Sequence, residues 1–175
     1  MDRRKFMAVT GLSATTLGLG GVLWRVGGVW WDQEAAPKWQ LLSAHEVKIV
    51  EAIAEAIFPG EDSSTAPIPG ALDVGVPKFL DNFLANTLDD FTANAVRLLI
   101  HAIDEMAIAA DFGLTRFHKR PLEERVAILK VWEESSLAPR RGAFSALKLF
   151  ICMGYCESTE VLAAIGISYT CGDLT

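Results

Sequence analysis

Apolar residues recur at helical spacing along most of this chain, and no convincing run alternates with the period of two that a half-buried strand requires. The first helical segment opens on a capping box, in which Ser43 accepts from the backbone N–H of Glu46 and Glu46 reaches back to the backbone of Ser43. The segment ends at Phe58, because Pro59 disfavours the α conformation in the residue before it. The pattern predicts an all-α fold, a compact bundle of five or six helices.

Five further helices complete the predicted bundle, after a loop over residues 59–70 and a short helical turn at 71–73. Their expected positions are from Pro77 for the second, 89–110 for the third, 121–136 for the fourth, 141–155 for the fifth, and from Ser158 to Gly166 for the sixth. Helical spacing gives the third helix an apolar face that includes Phe91, Leu98 and Met106, and it turns Val126 and Leu129 of the fourth helix inward.

A pair of arginines, Arg3 and Arg4, stands near the start of the chain, and Phe6 follows two places later. The uncharged run over residues 6–24 contains several Gly, Ser and Thr residues, so it is only mildly apolar. A membrane-spanning helix needs roughly 20 apolar residues, and this run falls just short of that length before Arg25. These features are typical of a twin-arginine export signal, a route that carries proteins already folded.

The same segment could instead remain in the membrane as an uncleaved anchor. Trp24, Trp30 and Trp31 lie where an aromatic belt would meet the membrane surface. The nearest small-residue cleavage site, at residues 34–36, is a poor one. Both alternatives stay open, and in either case the body is expected outside the cytoplasm. The predicted division is residues 1–31 as signal or anchor, 32–41 as linker, 42–166 as the helical domain and 167–175 as tail.

The body of the chain is acidic. The whole sequence carries a net charge of −6; residues 1–31, with four basic residues and one acidic residue, contribute +3, which leaves −9 for the remainder. Nucleic-acid binding needs a basic footprint. We therefore expect no nucleic-acid partner.

The chain has three cysteines, Cys152, Cys156 and Cys171. In an exported protein these thiols can oxidise, and a Cys156–Cys171 bridge would fasten the C-terminal tail to the last long helix. The alternative, at least as good, is a pair of small buried helix residues at 152 and 156 and a free thiol in the tail. An odd number leaves one cysteine over in both cases.

Motifs for chemistry are absent. A di-iron site in a helical bundle uses Glu-x-x-His motifs, and none of His45, His101 and His118 has Glu three places before it. His101 and Glu105, four apart, could form half of a metal face, but we favour a surface pair with a weak contact. No nucleophile elbow and no haem attachment motif is present. We therefore predict no catalytic, cofactor-binding or metal residue, and the cargo needing a folded-protein export route would be a partner.

Several segments together resemble the gluconate 2-dehydrogenase subunit 3 family. They cover residues 41–166 and keep the family's order: the opening at Leu42-Ser43 with Glu46, the close at Ile57-Phe58-Pro59, Pro69-Gly70-Ala71, Gly75-Val76-Pro77-Lys78-Phe79-Leu80-Asp81, Phe112-Gly113 with Phe117, Pro121-Leu122-Glu123-Glu124-Arg125 with Leu129, and Phe144 to Tyr155. The twin-arginine start is also typical of that family. The tail after residue 166 matches nothing we can name.

The resemblance implies a small, non-catalytic subunit of a periplasmic, membrane-associated dehydrogenase. Its large subunit would be a flavoprotein of the glucose–methanol–choline type, holding FAD and oxidising a sugar or polyol, and a cytochrome c subunit with haem often takes the electrons. The small subunit would supply the export signal, engage the twin-arginine translocase and act as a chaperone for the large subunit. The alternatives are an exported ferritin-like metalloenzyme and a membrane-anchored adaptor without a redox partner.

Partner contact is expected on the segment over residues 59–81 and on the aromatic surface of the fourth and fifth helices. Aromatic residues concentrate binding energy in protein interfaces. The interface residues predicted from the sequence are Pro69, Val76, Phe79, Trp132 and Tyr155.

Overall fold

The computed structural model describes residues 34–60, 68–110 and 115–167, with the backbone alone for 108–110. Within these ranges six α-helices and one short 3₁₀ turn are present, and no strand is found. The all-α prediction is confirmed. The helices are α1 (Ala44–Ile57), α2 (Val76–Asn86), α3 (Asp90–Ala110), α4 (Leu122–Glu133), α5 (Ala138–Cys156) and α6 (Thr159–Ala164), and the 3₁₀ turn is Phe117–Lys119.

The helix ends follow from local chemistry. The capping box of α1 is formed: the backbone N–H of Glu46 donates to Ser43 Oγ at 3.4 Å, and that of Ser43 donates to Glu46 Oε2 at 2.8 Å. Ser158 caps α6 in the same way, accepting from the backbone N–H of Val161. Helix α5 begins three residues before the predicted start, because Pro139 suits the first turn of a helix. The residues 71–73 form a hydrogen-bonded turn.

Helix α1 lies at the centre of the bundle, in contact with α2, α3, α4 and the 3₁₀ turn, and α5 packs against α2, α3, α4 and α6. One continuous apolar core joins them. Its largest fully buried apolar side chains are Leu42, Ile49, Ile53, Leu80, Leu84, Ile100, Ile103, Phe117, Phe144, Leu147 and Ile151. No helix within the described ranges is long and apolar enough to cross a membrane.

Four predicted core positions are exposed. Phe91 is 84 % exposed, and Leu98, Met106 and Val126 also face solvent. The apolar residues of α3 spread around more than one face, and the stripe turned to the core runs instead through Ala93, Val96, Ile100, Ile103 and Ala107, at spacings of three and four. Leu129 is buried as predicted.

Helix α2 is fixed to its surroundings by one carboxylate. Both oxygens of Asp81, a fully buried side chain, accept backbone N–H groups of the segment before α1: those of Gln40, Leu41 and Leu42, at 2.8 to 3.0 Å. Burial alone would raise the pKa of Asp81, but these hydrogen bonds and one from Lys78 outweigh it and hold the pKa below its usual range.

Candidate functional site

All three histidines of the chain meet in one place. His45 stands in the first turn of α1, His101 lies midway along α3, and His118 lies in the 3₁₀ turn. The ring centroid of His45 is 5.9 Å from that of His101 and 5.1 Å from that of His118. We call these residues, together with Glu46, Arg97, Asp104 and Arg116, the histidine cluster.

Glu46 holds the inner half of the cluster. Its carboxylate is buried and accepts from Arg97 Nε at 2.8 Å, Arg97 Nη2 at 3.1 Å and the backbone N–H of Ser43 at 2.8 Å, and Nε2 of His101 lies 3.1 Å away. Burial raises the pKa of Glu46, but the hydrogen bonds from His101, Arg97 and Ser43 and the charge of Arg97 outweigh burial and lower the pKa to about 2. Glu46 is therefore ionised throughout the physiological range.

Asp104 holds the outer half. Its side chain is fully buried, and Oδ1 accepts the backbone N–H of His118 at 3.1 Å and lies 2.8 Å from His118 Nδ1. From the described part of the chain, Oδ2 receives no hydrogen bond; Nε2 of His45 lies 3.5 Å from it. Burial opposes ionisation of Asp104, but the two imidazoles and the backbone N–H outweigh burial and keep its pKa below the usual range.

Arg116 covers the solvent edge of the cluster. Its Nη1 lies 3.1 Å from His45 Nε2, and its Nη2 lies 3.1 Å from Glu105 Oε1. The side chains of Arg116, Glu105 and His45 are 30 %, 29 % and 24 % exposed, whereas that of Asp104 is fully buried. The cluster thus has a closed inner half and an outer half that reaches solvent.

Helix α3 supplies three of these residues from one face. Arg97, His101 and Asp104 follow at spacings of four and three, which place side chains on the same side of a helix. Polar residues at that spacing on one face of α3 were the signal that sequence reasoning missed. The interpretation of His101 and Glu105 as a surface pair is wrong: His101 is 5 % exposed and faces Glu46, while Glu105 pairs with Arg116.

The arrangement brings together donors that suit a cation. One ligand atom each from His45, Asp104 and His118 lie within 4.8 Å of one another. Two imidazoles and one carboxylate are ligands that divalent transition metals accept. The sequence predicted no metal residue, because the three positions come from separate elements that only the tertiary fold unites.

The predicted interface residues lie in two different environments. Val76, Trp132 and Tyr155 are buried in the core of the chain, and Tyr155 donates its hydroxyl to the backbone oxygen of Pro69 at 2.7 Å. Pro69 and Phe79 are half-buried. Val76, Trp132 and Tyr155 therefore offer little surface to a partner. Of the five predicted interface residues, Pro69 and Phe79 keep the larger accessible areas.

A groove opens beside Trp132 between α3 and α4. It has a volume of about 410 Å³ and is lined by Met106, Arg120, Glu124, Ala127, Ile128, Val131, Trp132 and Arg140. Met106 and Val131 are 43 % and 60 % exposed. The guanidinium of Arg140 lies 4.4 Å above the Trp132 ring, a cation–π contact at the groove wall. We call this feature the α3–α4 groove.

The remaining predicted residues are only partly described. Cys152 is half-buried and Cys156 exposed, and neither forms a disulfide within the described residues. Cys171 and the signal residues Arg3, Arg4 and Phe6 lie outside the described residues. The Cys156–Cys171 bridge and the export signal stay predictions.

The described parts form a small all-α domain without a strand, in which three histidines meet charged carboxylate and guanidinium groups. The chain belongs to the gluconate 2-dehydrogenase subunit 3 family, whose model matches residues 44–171, so the predicted membership is confirmed. The family is a small subunit of a dehydrogenase complex. No curated protein and no solved structure gives a significant match to the chain.

Proposed function

We propose that this chain is the non-catalytic small subunit of an exported, FAD-dependent dehydrogenase that oxidises a sugar or an alcohol. The observation that supports the proposal is the family match over residues 44–171, which includes all six helices. Catalysis and FAD belong to a large flavoprotein subunit, and a cytochrome c subunit with haem is the expected electron acceptor where one is present.

The second part of the proposal concerns export. Arg3, Arg4 and Phe6 supply a twin-arginine signal for a large subunit that has none of its own. Because that route accepts folded cargo, the small subunit has to bind the flavoprotein in the cytoplasm before transport. It then stays bound at the periplasmic face of the inner membrane, and it acts as an assembly and export chaperone.

The α3–α4 groove is our choice for the docking surface. Its apolar lining, with Met106 and Val131 exposed, is bordered by the charged residues Arg120, Glu124 and Arg140. An apolar centre with a polar rim is the usual composition of a protein interface. The large subunit would bury this lining, which otherwise faces water.

Cell fractionation tests the export role. In Arg3→Lys/Arg4→Lys, we expect the flavoprotein and its dehydrogenase activity to remain in the cytoplasm, since the translocase reads the arginine pair. Arg25→Lys is the matched control, a basic residue outside the pair, and should leave export unchanged. Normal periplasmic activity in the double variant would contradict the export role.

Co-purification tests the docking surface. Val131→Glu places a charge on the groove lining and should reduce the amount of flavoprotein recovered with the chain at least tenfold. The control is Leu149→Glu, on α5, because Leu149 is 57 % exposed but does not line the groove. Equal recovery of the flavoprotein with both variants would show that the α3–α4 groove is not the docking surface.

A further inference from the structure

We propose that His45, Asp104 and His118 form a binding site for one divalent first-row transition-metal ion such as Zn²⁺, and that Arg116 competes with the metal for this site. The inference stands independently of the proposed subunit role. It rests on the donor set, on the spacing of the donors, and on the contacts that Arg116 makes.

The donor spacing fits a metal. The three ligand atoms lie within 4.8 Å of one another, and the pair formed by His45 Nε2 and Asp104 Oδ2 is separated by 3.5 Å. Two ligands of a tetrahedral Zn²⁺ with bonds of about 2.1 Å lie about 3.4 Å apart. His45 and Asp104 therefore already stand at a separation that one ion could bridge, and a ring nitrogen of His118 lies within 4.8 Å of both.

The position of His45 between Arg116 and Asp104 also suits a cation. His45 Nε2 lies 3.1 Å from Arg116 Nη1 and 3.5 Å from Asp104 Oδ2, and one ring nitrogen can accept from Arg116 or donate to Asp104, but it cannot do both. Asp104 Oδ2 is buried and receives no hydrogen bond from the described residues. A positive ion bound by His45 Nε2 and Asp104 Oδ2 would give both atoms a partner.

Arg116 supplies part of that positive charge in the structure. Its guanidinium contacts His45 and is held on its other side by Glu105. Because the side chain is 30 % exposed, it can swing into solvent without opening the core. A metal ion that binds His45 would displace Arg116 and leave it paired with Glu105.

The remaining geometry gives the ion rigid support and a path of entry. Asp104 is fully buried on α3, and its Oδ1 is held by the backbone N–H of His118. His45 is 24 % exposed and borders solvent. Three protein ligands with one side open to solvent leave a fourth position for water, as in three-ligand zinc sites.

Titration with Co²⁺, a coloured probe, tests the proposal on the full chain. The chain should carry Cys152→Ala, Cys156→Ala and Cys171→Ala, so that no thiolate competes, and an affinity tag free of histidine. We expect one Co²⁺ per chain by elemental analysis, with visible ligand-field absorption. His118→Gln should weaken binding about tenfold or more.

Two further variants separate a metal site from a network of ion pairs. His101→Gln removes the one histidine outside the ligand set, so Co²⁺ affinity should stay within about twofold of the parent chain. Arg116→Gln, at a partly exposed position that should not disturb folding, removes the competing cation and should tighten Co²⁺ binding several-fold. The proposal is overturned if the parent chain and Arg116→Gln bind no Co²⁺, or if His118→Gln binds as tightly as His101→Gln.

Discussion

Two buried aspartates, Asp81 and Asp104, show how the same side chain serves two different purposes in this molecule. Both are fully buried, and the pKa of each is held below the usual range. Asp81 achieves this with three backbone N–H groups, which use both of its oxygens. Asp104 achieves it with two imidazoles and one backbone N–H, and its Oδ2 receives no hydrogen bond from the described residues.

The difference separates a purely structural carboxylate, Asp81, from Asp104, which has an oxygen that could accept a further donor or bind a cation. Backbone donors cannot change protonation or move far, so Asp81 fastens the segment before α1 to α2. Imidazoles can gain, lose or exchange a proton, and they bind metals. The ligands around Asp104 therefore leave the outer half of the histidine cluster able to respond to its surroundings.

The largest effect is expected from Asp81→Asn. The new NH₂ group would face the N–H of Gln40 or those of Leu41 and Leu42, so donors would oppose donors in a buried site. We expect a loss of about 4 kcal/mol in the free energy of unfolding, measured by urea titration. Asp90→Asn, an exposed residue in the first turn of α3, is the control and should cost only a few tenths. Equal losses would contradict the anchoring role.

Glu46→Gln tests the inner half of the cluster. Because the pKa of Glu46 is lowered from about 4.5 to about 2, ionised Glu46 contributes stability above pH 4.5 that is lost as the pH falls towards 2. The variant should lose about 3 kcal/mol at pH 7 and should show a flatter stability profile between pH 4.5 and 2. Thermal unfolding across that range measures both, and an unchanged slope would show that Glu46 does not carry this dependence.

Gly154→Ala tests the packing around α2. A Cβ at residue 154 would lie 2.5 Å from Phe79 Cδ1, so α5 and α2 would have to separate or the ring would have to turn. We expect a loss of about 2 kcal/mol by urea titration. Gly142→Ala, in the same helix with no atom within 4 Å of the added Cβ, should instead stabilise by about 0.5 kcal/mol or more. A loss of stability in both variants, or a gain in both, would contradict the close approach of Gly154 to Phe79.

The smallest effect is expected from Asp104→Asn, the direct counterpart of the first variant. Asn can keep an oxygen towards His118 and place its NH₂ where Oδ2 receives no hydrogen bond, so we expect a loss of about 1 kcal/mol at pH 7. Thermal unfolding of the two Asp→Asn variants side by side checks this order. A loss at Asp104 equal to that at Asp81 would remove the distinction between the two sites.

The fold was largely predictable because its signals are local. The capping box of Ser43 and Glu46, the helix start near Pro77 and the cap at Ser158 depend on residues within one turn, and each is present in the structure. The errors arose where a helix has more apolar residues than its core face needs. Phe91 fits the helical period but faces solvent, since the period alone cannot show which face another helix will cover.

The histidine cluster was not predicted, because its residues are distant in sequence. His45 and His118 are brought to Asp104 by the packing of α1 and the 3₁₀ turn against α3. The polar residues at 97, 101 and 104 could have marked this face of α3 as unusual, but nothing in the sequence shows what it meets. Trp132, predicted at a partner interface for its aromatic character, is buried and also lines the α3–α4 groove.

The most direct test of the central claim, that this chain is the small subunit of a flavoprotein dehydrogenase, is purification through a C-terminal tag from its own cells, with a visible absorption spectrum of the eluate. The account predicts a large co-purifying protein in near-equimolar amount, with the absorption bands of flavin. A colourless chain without a partner would contradict the account and favour the adaptor alternative, while iron without flavin would contradict it in favour of a metalloenzyme.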